Sequence, residues 1–469
     1  MTYSLVRDTF AEYTGHLVER PNVQYLNDEG RSYLGRSQDR FDIINFVSPD
    51  SYSASNSATS SAFVMSESYL YTVEMVMECL AHLNDDGFIV MELGEHEYER
   101  RPYRTLSYLS TAREALHRMG MTDFEDHVLL VRAPVYIPTS VILVKKSPFS
   151  KADIDRVSTV VAKVADAQIA FAPGQVALPG PATEIITIPY DRLPAWHDAY
   201  RYDVGPVYDD SPFFWHFVRF RDVISDRQYG EAALLVETDF ENGAGERVLI
   251  FTLKMCAVFA SIVLLLPFVL LRGTWRALPC KARSTVYFAT LGLGFMAFEI
   301  SLIQKFTLLL GYPTYSLTLT LAAMLSFAGF GSLFSSAYRG RTGTIGVALL
   351  LVVGACTAFY QFGLPMVVDA VIGWPLAVRG ALCIAMLAPL GFALGAFMPL
   401  GLRIVAGLTE HKVEYVAWGW AVNGFFSVIG STLTTILSMA YGFGSVLYFA
   451  LALYTVGAIA LALMPRPSP

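Results

Sequence analysis

The sequence predicts an α/β domain followed by an all-α polytopic membrane domain of about seven helices, and three observations carry that prediction. First, from Val248 onward seven apolar runs of spanning length occur, near 248–271, 285–310, 314–337, 343–362, 376–401, 416–438 and 443–464. Second, residues 1–247 hold no such run and alternate short apolar strands with amphipathic helices, the pattern of a sheet wound by crossovers. Third, the charge divides at the same place. Residues 1–247 carry 22 Lys and Arg against 37 Asp and Glu, a net of −15, while residues 248–469 carry 12 against 4, a net of +8, together the −7 of the chain.

A soluble half this acidic argues against nucleic acid as a partner and against lying on an anionic leaflet. Five cysteines without a CxxC pair argue against a disulfide framework or a zinc site. Eight histidines show no HExxH spacing, and the run Glu92–Glu99 (ELGEHEYE) reads as a solvated acidic loop before a cation site. Nothing at Met1 has the pattern of a signal peptide.

Taken in order, residues 3–14 predict a helix with Leu5, Val6, Phe10 and Tyr13 on one face. A strand follows at Val23–Asn27, and a second at Phe41–Val47, whose unbroken apolar run suits a buried parallel sheet. A Ser/Ala/Asn-rich loop occupies 48–62, and a helix over 66–83 is stopped by Asp85-Asp86-Gly87. Then come a strand at 88–93, a helix at 104–119, and strands at 128–133 and 139–146, close enough to be antiparallel. Ligands of such sheets bind beyond the carboxyl ends of the strands, where Asp28, Asp50 and the 48–62 loop fall.

The stretches FDIINFVSPDS, MSESYLYTVEMV and GFIVME resemble the spermidine synthase group of S-adenosylmethionine-type transferase folds. With DDSPFFWH at 209–216, GLGFMAFEISLIQKFTLLLGYPTYSLTL and WGWAVNGFFSVIGS, the chain resembles the bacterial membrane proteins in which such a domain is fused to transmembrane segments. The resemblance implies a Rossmann-like sheet of the methyltransferase type, S-adenosylmethionine or its decarboxylated form as cofactor, and a polyamine substrate. It makes Asp28, with Glu29 beside it, the acidic group that hydrogen-bonds the adenine. Glu67-Ser68-Tyr69 matches the start of the helix behind the substrate loop.

The chain departs from that pattern twice. The family's catalytic loop reads D-S-S-D, and its first Asp helps deprotonate the attacking amine; here that position is Val47, and the second Asp is Asp50. A valine neither accepts a proton nor attracts an ammonium group. The Gly-rich turn and ribose-reading acid, which the resemblance places before residue 3, have no counterpart. The sheet is therefore expected to be incomplete, its first two strands missing, with an upstream segment or a protein partner covering the edge at Val23–Asn27 or Phe41–Val47.

Residues 1–150 thus form the partial spermidine synthase-like domain, 151–247 a linker and pre-membrane segment, and 248–469 the transmembrane domain. Within the linker, Ile154–Ala170 predicts a helix and Ala172–Ala182 a Pro/Gly/Ala turn region. In DDSPFFWHFVRF, Phe213, Phe214 and Trp215 read as interfacial anchors and Asp209 and Asp210 as an N-cap, in preference to a site at the domain–membrane junction.

In the membrane half, the 285–310 run carries Glu299 near its middle, then Gln304 and Lys305. A carboxylate in hydrocarbon costs roughly 3 kcal/mol or more, so it normally faces a partner, a cavity or a neighbouring helix. Glu299, Gln304, Arg379 and Asn423 make up the polar centre of the spans. Pro389, Pro399, Gly391 and Gly395 point to a broken fifth span. Nine basic residues, Arg272, Arg276, Lys281, Arg283, Arg339, Arg341, Arg403, Lys412 and Arg466, fall on the side of the C-terminal tail. That bias places the tail in the cytoplasm of a bacterial inner membrane and residues 1–247 outside it. The expected function is a binding, scaffold or assembly role in the bilayer for a degenerate, non-catalytic domain. The alternative is a membrane-anchored aminopropyl- or methyltransferase of polyamine biosynthesis.

Overall fold

The structure is a computed structural model, and it describes residues 2–47, 68–95, 98–99, 101–134, 138–175, 177–225, 243–270, 272–338 and 342–465. The 48–62 loop with Asp50, Glu67, His96, Arg339, Arg341 and Arg466 lie outside the described residues, as does the side chain of Val47.

Apolar and β-branched runs form the sheet. Phe41–Val47 (β1) pairs in parallel with Leu83–Gly94 (β2). Val128–Pro134 (β3) and Pro138–Lys145 (β4) are antiparallel to each other, β4 is antiparallel to β2, and Gln168–Phe171 (β5) borders β3. The result is a mixed five-stranded sheet in the order β1-β2-β4-β3-β5. Alternation along the strands divides the core. Val128, Leu130, Ile142 and Val144 face the helices Val73–Ala81 and Tyr103–Arg118, whereas Leu129, Val131 and Leu143 pack with Ile154 of the helix Lys151–Val161.

Four local expectations are corrected. Val23–Asn27 is irregular and joins no ladder, so β1, not that stretch, is the edge strand on the side of β2 among the described residues. Residues 3–14 give only a short helix Thr2–Ser4 and one π turn, Leu5–Thr9, because Phe10 and Tyr13 find nothing to bury against and stay 51% and 90% exposed. Asp85-Asp86-Gly87 does not separate helix from strand. It lies inside β2, where the register slips from Phe41↔Leu83 to Ile43↔Phe88, and Gly87 is required because a Cβ there would press on Phe41 O. Finally, the helix expected to reach Ala170 ends at Val161. Asp166 turns the chain with φ +59°, and Ala170 and Phe171 are buried in the sheet as part of β5. The stretch read as a linker thus adds a strand, and Ile185, Tyr202, Val204 and Phe214 beyond it enter the same core as the first 150 residues.

Six helices of the C-terminal half are long and apolar enough to cross a membrane: Ala244–Leu264, Lys281–Leu310, Pro313–Ala337, Gly343–Val371, Leu376–Gly407 and Lys412–Ala462. Lys281–Leu310 is the centre of the bundle, with 67% of its apolar window buried against 11% for Ala244–Leu264. The last helix is not continuous, since Gly442 is non-helical (φ +82°, ψ 161°). Contacts on either side of Gly442 show what the break does. Gly419 meets Phe288 and Gly430 meets Leu293, so the first part runs parallel to the central helix. Beyond the break Gly457 meets Thr290 whereas Ala450 lies against Gly294, so the second part runs back. Gly442 is therefore a chain reversal, and a left-handed φ at a turn this tight favours glycine.

The expected break of the fifth span is not there. Leu376–Gly407 is one helix with Pro389 and Pro399 inside it. Its Gly391 and Gly395 serve packing instead: a Cβ at Gly395 would overlap the backbone of Ala328 on Pro313–Ala337. At the end of the bundle away from the sheet domain, Arg283 donates to Leu463 O (2.7 Å), Arg403 to Tyr338 O (2.6 Å) and Tyr415 to Pro279 O (2.5 Å). The expected basic residues that are described gather at that end.

Candidate functional site

Where the sheet domain meets the other end of the bundle, a buried ion pair inside the domain adjoins contacts that cross to the helices. Arg31, in the first turn of the helix Gly30–Arg36, makes a two-pronged ion pair with Asp209, one arm being Nη1–Oδ1 at 2.5 Å. Nη1 also reaches Tyr69 O (3.2 Å) and Thr72 Oγ1 (3.1 Å), and Asp209 N donates to Glu74 (3.0 Å). Burial pulls the Arg31 guanidinium down, but Asp209 and then Glu74 more than offset it, and its pKa ends above the ordinary arginine value. Burial, then the charge of Asp209, raises the Glu74 carboxyl above its ordinary value.

One residue on, Asp210 joins the two halves directly. Its carbonyl accepts from Phe443 N (2.7 Å), its carboxylate from Gly444 N (3.0 Å), and Lys305 Nζ lies 2.9 Å from Oδ1. The expected local N-cap is therefore not formed: Asp209 pairs with Arg31, and Asp210 accepts from the first turn of the helix that starts after Gly442, more than 200 residues further along the chain. Ser211 donates to Ser438 O (3.3 Å) and Tyr69 OH to Gln304 O (3.2 Å). Phe213 and Phe214 are not bilayer anchors. Phe214 stacks on Tyr71 at 4.2 Å inside the domain, and Phe213 packs on Phe443 at 5.7 Å in the seam. Beside them His216 Nδ1 and Glu246 Oε1 are 2.9 Å apart, both buried.

The residues expected to read a nucleoside are engaged elsewhere. Asp28 is ion-paired to Arg36, and its Oδ1 accepts from Glu29 N (2.9 Å) and from Tyr312 OH (3.3 Å) at the turn between two membrane-type helices. Glu29 caps Gly30–Arg36, accepting from Arg31 N (3.1 Å) and Ser32 N (2.8 Å). Val47 closes β1 opposite Glu92.

The four polar residues of the spans are not gathered into one centre. Asn423 Nδ2 donates to Phe288 O (3.3 Å), Arg379 to Leu309 O (2.8 Å), and Gln304 uses its backbone oxygen toward Tyr69. At 1.5 Å per residue, Phe288 and Leu309 are about 30 Å apart on the central helix, with Glu299 between them and bonded to neither partner.

Glu95 was missed by its sequence context. It follows β2 and is fully buried, so ELGEHEYE is not a solvated loop along its whole length. Its Oε2 accepts from Thr105 N (2.9 Å) and Thr105 Oγ1 (3.0 Å), while Oε1 has no hydrogen-bond partner among the described residues. Burial raises its carboxyl to about 7, against the opposing pull of Arg104 and Thr105. Ser110 and His197, 3.0 Å apart, mimic a nucleophile and base. Ser110 is fully buried and donates to Val204 O (2.6 Å), which rules it out as a nucleophile here, and burial holds His197 down to about 4. No group of three or more metal-ligating side chains occurs among the described residues. No protein-family model matches this chain, and no curated protein matches it.

Proposed function

We propose that the chain is a multi-pass protein of the bacterial inner membrane whose spermidine synthase-like domain does not transfer aminopropyl groups and serves as a fixed binding or assembly module on the helices. The observation that carries this reading is the engagement of Asp28 and Glu29, the expected cofactor residues, in the seam and in a helix cap. Val47 in place of the amine-activating Asp supports it from the sequence. The parallel pair β1–β2, followed by an antiparallel pair, agrees with the later part of a Rossmann-like sheet, and β1 is the edge at which an upstream segment or a partner chain would add its strands. Full-length protein in nanodiscs, given putrescine and decarboxylated S-adenosylmethionine, is expected to form no spermidine. Turnover that is lost on Asp28→Ala would restore the membrane-anchored transferase as the better reading.

The same proposal places the tail in the cytoplasm and the sheet domain outside, on the strength of the basic helix ends. Lys163 is exposed on the sheet domain and Glu410 is exposed between the last two long helices, at the opposite end. In a background lacking the five native cysteines, Lys163→Cys should react with an impermeant maleimide in intact cells and Glu410→Cys should not. The reverse pattern would put the domain in the cytosol.

A further inference from the structure

Glu299 stands apart from the other acids of the bundle, whether or not the sheet domain is catalytic. From 281 to 465 the acidic residues are Glu299, Asp369, Glu410 and Glu414. The last three are exposed at helix ends, whereas Glu299 is 7% exposed in the middle of the central helix. The large buried polar side chains nearest in kind have partners: Arg379 donates to Leu309 O, Tyr287 to Phe397 O and Tyr360 to Met386 O. Glu299 has no hydrogen bond or ion pair among the described residues. A carboxyl left without a partner inside a membrane-type bundle is held at a cost that packing alone does not repay.

Its surroundings at that depth are polar but uncharged. Ser316 donates to Ile303 O across the antiparallel pair of helices, so one turn further along each brings Thr320 level with Glu299. Thr320 is buried against Cys383, and Ser301 Oγ is buried with no hydrogen bond among the described residues. The titratable groups turned toward the central helix from its neighbours are accounted for. Arg379 bonds Leu309 O, Cys383 faces Thr320, Tyr415 bonds Pro279 O, and Tyr454 packs on Gly294 and Phe298. None of them bonds Glu299. Asp369, Arg403, Lys412 and Glu414 sit at helix ends.

We propose that Glu299 is a proton-binding site, loading and releasing one proton from water on the side of the sheet domain. A proton suits the site because it needs a single carboxyl, whereas a metal ion needs several ligands, and no such cluster exists among the described residues. The side follows from the path. Toward the sheet domain the same helix offers Gln304 and Lys305 within about 9 Å of rise, and Lys305 joins Asp210, whose side chain is 42% exposed. Toward the other end lie 18 residues, about 27 Å of helix, and they include the fully buried Tyr287 and Phe288.

Dicyclohexylcarbodiimide tests this, because it adds to a protonated carboxyl in an apolar setting and leaves a stable N-acylurea that mass spectrometry locates. Full-length protein in sealed vesicles should be labelled at Glu299, and labelling should fall about tenfold per pH unit above its midpoint between about pH 5 and about pH 9. Raising the pH on the sheet-domain side alone should suffice. Labelling that is constant with pH would identify a permanently neutral structural carboxyl and overturn the proposal, and so would recovery of the Glu299 peptide unlabelled at every pH. Response only to pH on the tail side would overturn the route. Glu299→Gln should remove the label. Should that variant fail to fold, the wild type decides alone, since Glu299 is the only acidic residue between Arg283 and Lys305 and an acylurea on that peptide has no other carboxyl to sit on.

Discussion

Arg31→Met is expected to destabilise the sheet domain by about 3 kcal/mol, at the lower end of the 3–5 kcal/mol that breaking a buried ion pair costs, because both side chains keep a little under a fifth of their surface exposed. For a domain of this size that is a fall in Tm of roughly 10 °C by differential scanning fluorimetry of the full-length protein. The cost comes from what is left behind. Without the guanidinium, the carboxylates of Asp209 and Glu74 face each other across a 3.0 Å backbone hydrogen bond, and Tyr69 O and Thr72 lose a donor. The deficit should also depend on pH. In the folded state Glu74 holds its proton more tightly than in the unfolded chain, through burial first and Asp209 second. Its favourable contribution is therefore complete below the ordinary Glu range and is lost as pH rises through the raised value. Arg31→Met should accordingly look worse at pH 8 than at pH 5. Adding Asp209→Leu should recover part of the loss, since a pair removed together costs less than one removed by halves. An Arg31→Met protein as stable as wild type at both pH values would show that the pair does not hold the sheet domain together beside the seam.

That seam also marks where the sequence stops being informative. Strands β1 to β4 were legible because their apolar residues alternate or run unbroken between turn signals, and the membrane-type helices because nothing else needs twenty apolar residues. β5 was not, because four residues, Gln168–Phe171, continue an amphipathic helical pattern and are claimed by the edge of β3 only once the sheet exists. Asp209 and Asp210 stood out as acids beside aromatics, yet their partners are Arg31, Lys305 and Gly444, far away in sequence. A local cap and a cap on a distant helix read the same along the chain. Asp28 shows the converse limit. Its sequence neighbourhood matches a cofactor residue, but whether its carboxylate is available depends on Tyr312 and Arg36, and both take it.

Glu95 should make the sheet domain less stable as pH rises through the neutral range, by roughly 3 kcal/mol, since its carboxyl is raised from 4.5 to about 7. The sign follows from the direction of the shift. A carboxyl whose folded value is raised from 4.5 to about 7 binds its proton more tightly when folded, so the contribution is fully present below about 4.5 and is lost as pH climbs to about 7. The physical cause is burial at the carboxyl end of β2, where, among the described residues, Thr105 supplies the hydrogen bonds to one oxygen and the other has none. Glu74 is raised as well and pushes the same way. Asp153, whose carboxyl Ser150 and Lys145 hold below the ordinary value, pushes the opposite way at lower pH: its contribution is present above the ordinary Asp range and is lost in acid. The comparison must therefore be with Glu95→Gln, which keeps an acceptor for Thr105 and removes the charge. Between pH 5 and pH 8 the wild type should lose stability relative to Glu95→Gln, so that the variant is the more stable protein at the alkaline end. Parallel pH profiles for the two proteins in urea unfolding of the full chain would mean that Glu95 stays ionised in the fold, and that an unseen cation or donor satisfies its second oxygen.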